Sequence, residues 1–375
     1  MNKLEKIINK STDALSRFYP RQKDLFVFIG WHKSKDGEIF ADNAKHFFLY
    51  IHREHPEIRS VWISKDRALA RRLRSEGFRS YYEKSILGIW YSLRAGYVVI
   101  DAFLQKYNAF LSRGAKITQL LHGKGLKKKG YAQVPILKND FIFGTSPFTN
   151  SLLPVEFTSG AQMCVAGYSR NDQFFDKTKL YFSPEEKKLV DILETHKRNG
   201  KKIIMYAPTF RRGNKDFNPE DHFNKNRVSS FAKEKDVIFL VSLHTKYRAR
   251  KALSISDTII DMPECDINSL MPFIDILITD YSSSYVDFLL LDRPIIFYVY
   301  DIESYHAKEG LIDDYESHMP GAKIKSEDAL FIEIERVLNK EDDWVEARAS
   351  VRDLYHTHKD ANSSARIFSI INSNK

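Results

Sequence analysis

Three consecutive serines, Ser282, Ser283 and Ser284, follow Asp280-Tyr281 where an apolar run, Ile274 to Thr279, gives way to a new apolar helix. Small hydroxyl residues at a strand-to-helix junction direct unpaired N–H groups, the helix dipole and O–H donors at one spot, which is the chemistry of a phosphate site. A helix cap needs only one serine, so three favour an anion, with a plain N-cap as the alternative. Asp280, at the strand end, is grouped with them as a substrate-site residue. Four further segments each follow an expected strand, and in an open parallel sheet ligands bind at that carboxyl edge. Leu121-His122-Gly123-Lys124-Gly125 sets an imidazole between a buried strand and a glycine turn, the place for a general base. Lys124 between two glycines suits close approach to a ligand; the plain alternative is a loop histidine beside a solvated lysine run. Thr209 and Arg211, after Tyr206, are natural phosphate ligands or else part of a proline turn with surface arginines. His244, in Leu243-His244-Thr245-Lys246, is placed to stabilise charge on phosphate oxygens or on a leaving nucleotide, or is simply a satisfied strand-end histidine. Arg170, in Gly167-Tyr168-Ser169-Arg170-Asn171-Asp172, offers a bidentate phosphate clamp, with Asn171 or Asp172 capping the next turn.

These residues need rigid elements behind them. Leu25–Ile29, Val61–Ile63, Tyr97–Asp101, Ile117–Leu121 and Phe141–Phe143 read as strands. Ala41–Glu54 carries Ala44, Phe47, Phe48 and Ile51 at helical spacing and stops at His55-Pro56. Asp66–Glu76 reads as an Arg-rich helix closed by Gly77. Alternation of this kind builds a parallel, doubly wound sheet. Asp176–Gly200 has little strand character and one charged helix, Pro184–Arg198. The pattern then restarts with Lys202–Tyr206, Val237–Leu243, Thr258–Asp261 and the segment carrying the serines, whose helix leads to a strand at Pro294–Tyr298. The expected fold is therefore α/β with the GT-B architecture, two Rossmann-like domains facing across a cleft and a helical C-terminal tail. The expected domains are 1–180 and 181–375, with the tail from Ser326 packing back on the first.

Composition narrows the function classes. With 375 residues, two domains are the default, and 43% hydrophobic with 13% aromatic content excludes a disordered chain. Cys164 and Cys265 have neither metal-ligand nor disulfide spacing, which suits a reducing cytoplasm. No run approaches a membrane span, and no signal-peptide core opens the chain. A net charge of +9 calls for an anionic partner. Nucleic acid is set aside, because the aromatics fall in strands and cores instead of alternating with basic residues on one face.

Taken in order, the segments resemble the CDP-glycerol glycerophosphotransferases of teichoic-acid and capsule synthesis. Asp42-Asn43-Ala44-Lys45, His55-Pro56-Glu57 and Val61-Trp62 are similar to that family's N-terminal pattern. His122-Gly123 with Leu126-Lys127-Lys128, Gly167–Asp172, Tyr206–Arg211, Thr279–Ser283 with Asp287, Pro294–Tyr300, Gly310–Tyr315 and Met319–Gly321 match later motifs, so the resemblance covers nearly the whole chain. Departures cluster on the acceptor side: Leu121 stands for a tryptophan, Lys124 for a threonine, Gly125 for a proline and Ser169 for a proline. Phe210 stands for a second tryptophan.

The resemblance implies a transferase needing no metal or other cofactor. An acceptor hydroxyl attacks the β-phosphorus of a CDP-polyol, most simply CDP-glycerol, and CMP leaves. It makes His122 the base and sets His244, Thr209, Arg211, Ser282 and Ser283 around the pyrophosphate, with Ser284, Lys124, Arg170 and Asp280 beside them. The implied acceptor is lipid-linked or polymeric and phosphate-containing. Met1–Tyr19, with Leu4, Ile7, Ile8, Leu15 and Phe18 on one stripe among lysines, fits an interfacial helix on an anionic membrane surface, or one packed on its own domain. The expected location is cytoplasmic, peripheral to the inner face of the membrane. CDP-ribitol transfer is the near alternative. A nucleotide-sugar GT-B enzyme is the other, with Glu264, Asp266 and Asp287 open as ribose or sugar contacts.

Overall fold

The computed structural model describes residues 16, 19–30, 38–104, 106–128, 135, 137–209, 211, 222–242 and 256–373. His244, Phe210 and nearly all of Met1–Tyr19 lie outside the described residues. The chain divides into two compact units. The first comprises Met1–His122, Tyr131–Phe175 and Thr357–Lys375, and the second Gly123–Gly130 and Asp176–His356. The break falls at Phe175, five residues before the expected 180, and the last helix, Ser363–Ser373, groups with the first unit.

The first unit holds seven parallel strands: β1 (Gln22–Ile29), β2 (Arg59–Ser64), β3 (Ser80–Tyr82), β4 (Ala95–Ile100), β5 (Lys116–Gln119), β6 (Phe141–Gly144) and β7 (Gln162–Val165). Their order is β3-β2-β1-β4-β5-β6-β7. The second unit holds β8 (Lys202–Ala207), β9 (Val237–Val241), β10 (Ile259–Asp261), β11 (Ile276–Thr279), β12 (Ile295–Tyr298) and β13 (Ala322–Ile324), ordered β10-β9-β8-β11-β12-β13. Both sheets reverse direction of winding beside their first strand. The crevices for ligands thus open between the carboxyl ends of β1 and β4 in one sheet and of β8 and β11 in the other.

Strands covered on both faces read as continuous apolar runs, and Ile203–Tyr206, Val237–Val241 and Ile276–Ile278 are buried throughout. The edge strands β3 and β13 lack such runs and were not expected. Each is three residues long, and β13 is only partly buried, so the pattern that betrays a central strand is absent. The helix after the serines differs from expectation in length. It covers only Ser284–Phe288, then tightens into a 3-10 turn over Leu289–Leu291 that stops at Asp292, φ +52°. So short a helix contributes little macrodipole, and an anion there would depend on the local N–H groups and hydroxyls.

Candidate active site

In the second unit, register pairs Thr279 with Ala207, so the residues just beyond each strand end meet at the crevice. Asp280 is fully buried there and collects donors. Thr209 gives it a backbone N–H (2.8 Å) and its hydroxyl (2.5 Å), and the Tyr281 backbone N–H gives a third bond (2.5 Å). Arg211 reaches Asp280 Oδ2 at 2.9 Å, donates to the Thr209 carbonyl at 2.7 Å, and grips Asp301 through Nε (2.7 Å) and a second nitrogen (2.9 Å). Burial works against the Arg211 charge, but Asp280 and Asp301 more than offset it and hold the guanidinium protonated. Tyr281 donates to Asp301 (3.1 Å) and stacks on Tyr305, with Arg211 lying over both rings. Arg211 therefore spends its fork on carboxylates of its own unit and fixes Thr209 and Asp280 in place.

The three serines are partly exposed above this network. Ser283 makes no side-chain cap, and Ser282 Oγ accepts from the Ser284 N–H (3.3 Å) and bonds the Ser284 hydroxyl (2.9 Å). The segment after His122 packs onto the same place. A Cβ on Gly125 would stand 3.0 Å from Ser283 Cα, so only glycine lets that backbone pass so near. Leu126 accepts from the Ile312 N–H (2.7 Å), and Lys127 bridges Leu311. Lys124 is buried and donates to the carbonyls of Lys127 (2.6 Å) and Lys128 (3.3 Å), while burial lowers its pKa. It shapes the loop from within, where the sequence suggested a phosphate ligand.

In the first unit a second buried network lies at the carboxyl edge of β1, β4 and β5. Leu121 takes φ +60°, a left-handed conformation that costs a bulky residue about 1–2 kcal/mol. It is pinned from both sides: its N–H donates to Gln119 Oε1 (2.9 Å), and its carbonyl accepts from Asn43 Nδ2 (2.9 Å). Asn43 Oδ1 also accepts the Arg170 N–H (3.2 Å), and the Arg170 side chain pairs with Asp42. Arg170 is buried against Asp42 and the Tyr168 ring (4.6 Å), so it too is engaged within its own unit. Asp172 caps a distant helix, accepting the N–H groups of Ser363 (2.8 Å) and Ser364 (2.9 Å). Gly167, at φ +88°, makes room for Ser363. His122, partly exposed, follows Leu121 directly and so inherits its direction from this clamp.

Sequence reasoning singled out His122, Thr209, Asp280 and the serines, and passed over Asn43 and Gln119, which pin Leu121, and Asp301, which holds Arg211. Asn43 had a signal, since it lies in a motif shared with the family; Gln119 and Asp301 had none. Asp266 caps Ile267–Leu270 and is buried, and Asp287 accepts from Asn268 Nδ2 (3.1 Å), so two of the three acids raised as sugar contacts are engaged within the fold.

The chain is 24% identical over 402 residues to a teichoic acid glycerol-phosphate transferase of Staphylococcus aureus, covering 98% of each. It is 34% identical over 198 residues to the teichoic acid glycerol-phosphate primase of Bacillus subtilis, a match covering 52% of this chain and 49% of that protein, about half its length. The solved structure of the wall teichoic acid polymerase TagF superposes with a TM-score of 0.73 at 19% identity, covering 98% of this chain and 92% of that one, and shares the GT-B-like fold. The family model described as CDP-glycerol:poly(glycerophosphate) glycerophosphotransferase matches residues 14–373, and the chain belongs to that family.

Proposed function

We propose that the chain transfers glycerol phosphate from CDP-glycerol to a hydroxyl of a lipid-linked or polymeric acceptor in teichoic-acid synthesis. The observation that carries the donor assignment is the Thr209–Asp280–Arg211–Asp301 network beneath three partly exposed serines at the switch point of the second sheet. The acceptor oxygen attacks the β-phosphorus, its proton passes to His122, and the bond to the CMP oxygen breaks in line. Ser282, Ser283 and Ser284 and the N–H groups around them hold the pyrophosphate, with His244 stabilising the leaving nucleotide. Thr209 and Asp280 shape the floor of this site, Arg211 and Lys124 fix its loops, and Arg170 braces the acceptor side. Positioned donors supply the charge stabilisation, so the reaction needs no metal. The protein works in the cytoplasm at the inner face of the membrane, reaching it through Met1–Tyr19.

A thermal-shift screen of the full chain against CDP-glycerol, CDP-ribitol and UDP-sugars, followed by nucleotide-release assays with and without EDTA, tests this reading. CDP-glycerol should stabilise most and release CMP regardless of EDTA. Selective stabilisation by CDP-ribitol would change the polyol, and UDP release would replace the whole assignment with a nucleotide-sugar transferase.

A further inference from the structure

One buried imidazole lies outside the transfer chemistry described above. His356 closes the helix Val345–Tyr355, is 2% exposed, and brings its Nε2 to 2.8 Å from the Val286 carbonyl. A carbonyl only accepts, so this bond makes Nε2 the protonated nitrogen and the ring the donor. Val286 lies two residues after Ser284, in the helix Ser284–Phe288 that follows the donor serines. Five residues are too few for a helix to hold itself. Most of its carbonyls are end groups with no partner inside the helix, and a single turn is unstable alone. Its start has no side-chain cap either. Bracing comes from outside. His356 holds the Val286 carbonyl, Asn268 Nδ2 donates to Asp287 (3.1 Å), and Arg352, one turn before His356, pairs with Asp292 (3.2 Å) where the 3-10 turn ends. The His356 backbone is itself fixed, its N–H donating to the Arg352 carbonyl (2.8 Å). The fit around the serines is tight, since a Cβ on Gly125 would already stand 3.0 Å from Ser283 Cα.

We propose that His356 is a positioning residue for the transfer reaction: by holding the Val286 carbonyl, its imidazole sets where Ser282, Ser283 and Ser284 meet the pyrophosphate. The inference rests on the donor assignment made above and adds to it a residue seventy positions away in the chain from the carbonyl it holds. The helix has two distinct sides. Its serines are partly exposed, while Tyr285, Val286 and Asp287 are buried, so the ligand-facing groups move only as the buried side moves. Filling space there needs no imidazole. Any ring of that size would pack, but an apolar one would leave the Val286 carbonyl unpaired in the interior. Tyr285 and Tyr355, next in sequence to the bonded pair, are fully buried rings, and in such dry surroundings one hydrogen bond is strong and well directed. Phosphoryl transfer is sensitive to this, because it proceeds by in-line positioning of groups around the phosphorus.

Steady-state CMP release by the full chain, with CDP-glycerol varied well below each variant's melting temperature, tests it. His356→Phe keeps a ring and loses the donor, whereas His356→Gln keeps an amide N–H near the Nε2 position. In His356→Phe, kcat/KM for CDP-glycerol should fall on the order of 10²-fold and the donor-induced thermal shift should shrink. His356→Gln should recover most of both. A role in packing alone would lower the melting temperature and leave kcat and KM of the folded enzyme as they were. A value of kcat/KM in His356→Phe within twofold of the parent, or His356→Gln as impaired as His356→Phe, would overturn the proposal. If His356→Phe does not fold, the parent labelled with isotopic nitrogen in its histidines decides. The Nε2–H resonance missing from His356→Gln should be protected from exchange with water and should move when CDP-glycerol binds, and one that stays put rejects the proposal. A parent that neither binds CDP-glycerol nor releases CMP would instead remove the donor assignment itself, and this role with it.

Discussion

Replacing Asn43 with alanine should disable the proposed base without touching the residues that hold the donor. Asn43 is fully buried and holds two backbone groups at once, the Leu121 carbonyl at 2.9 Å and the Arg170 N–H at 3.2 Å. Each bond is worth about 1 kcal/mol net, and the two groups left unpaired in the interior cost about 1–3 kcal/mol each, so the clamp amounts to roughly 2–4 kcal/mol after partial relaxation. Against it stands the left-handed Leu121, at φ +60°, whose return to an ordinary conformation would release about 1–2 kcal/mol. With the clamp gone the balance favours relaxation, and His122 turns with the backbone it follows. Misplacement of a base by about 1 Å lowers turnover on the order of 10²-fold. The assay is CMP release under saturating CDP-glycerol, paired with the thermal shift that CDP-glycerol produces. The expected result is a loss in kcat with the donor-induced shift retained and the melting temperature lowered by about 5–10 °C. Asn43→Asp should behave like alanine, because its carboxylate would face the Leu121 carbonyl. Turnover within twofold of the parent, despite the lowered melting temperature, would show that the clamp is only structural and that His122 does not depend on it.

Three further outcomes are expected. His122→Ala should lower CMP release on the order of 10²-fold or more while the CDP-glycerol thermal shift persists; unaltered turnover removes the base assignment. Asp280→Asn removes one carboxylate partner of the Arg211 guanidinium and weakens the hold on Thr209, so it should cost about 1–3 kcal/mol of stability and shrink the donor-induced shift, as read by calorimetry with and without CDP-glycerol. An undiminished shift would mean the network does not shape the donor site. Glu38 is pushed up to about 7, chiefly by burial, with one carboxylate oxygen unpartnered among the described residues and the other bonded to Ser64 (2.7 Å) and the Lys65 N–H (2.7 Å). Its stabilising contribution is whole below the ordinary carboxylate range and is lost as pH rises through about 7. Glu38→Gln should therefore flatten the decline in melting temperature between pH 5 and 8 that this group causes, about 3 kcal/mol at most. An identical pH profile in the variant would refute the assignment.

Much of the framework was legible from local pattern. The helix Pro184–Arg198 occurs with the expected bounds, because Ser183 and Glu186 form a capping box, Pro184 opens the first turn and basic residues close the last. The central strands announce themselves as buried apolar runs, and the glycines around His122 mark a turn that only a permissive backbone can make. Partners across long separations were not legible. Arg211 and Arg170 look like free phosphate ligands in sequence, and only folding brings Asp301, ninety residues away, and Asp42, 128 residues away, within reach of them. Asp172 reads as a local cap, yet the helix it caps begins 191 residues later. The apolar side chains of Ile86–Arg94 lie in solvent, because a neighbouring carbonyl occupies the space that a large inward side chain would need. Sequence by itself determined the central strands, the capped helices and the glycine turns, since those choices rest on residues within a few positions of one another. Tertiary structure decided which charges are spent internally and which remain for a ligand, since electrostatic pairing is set by distance in space and not along the chain.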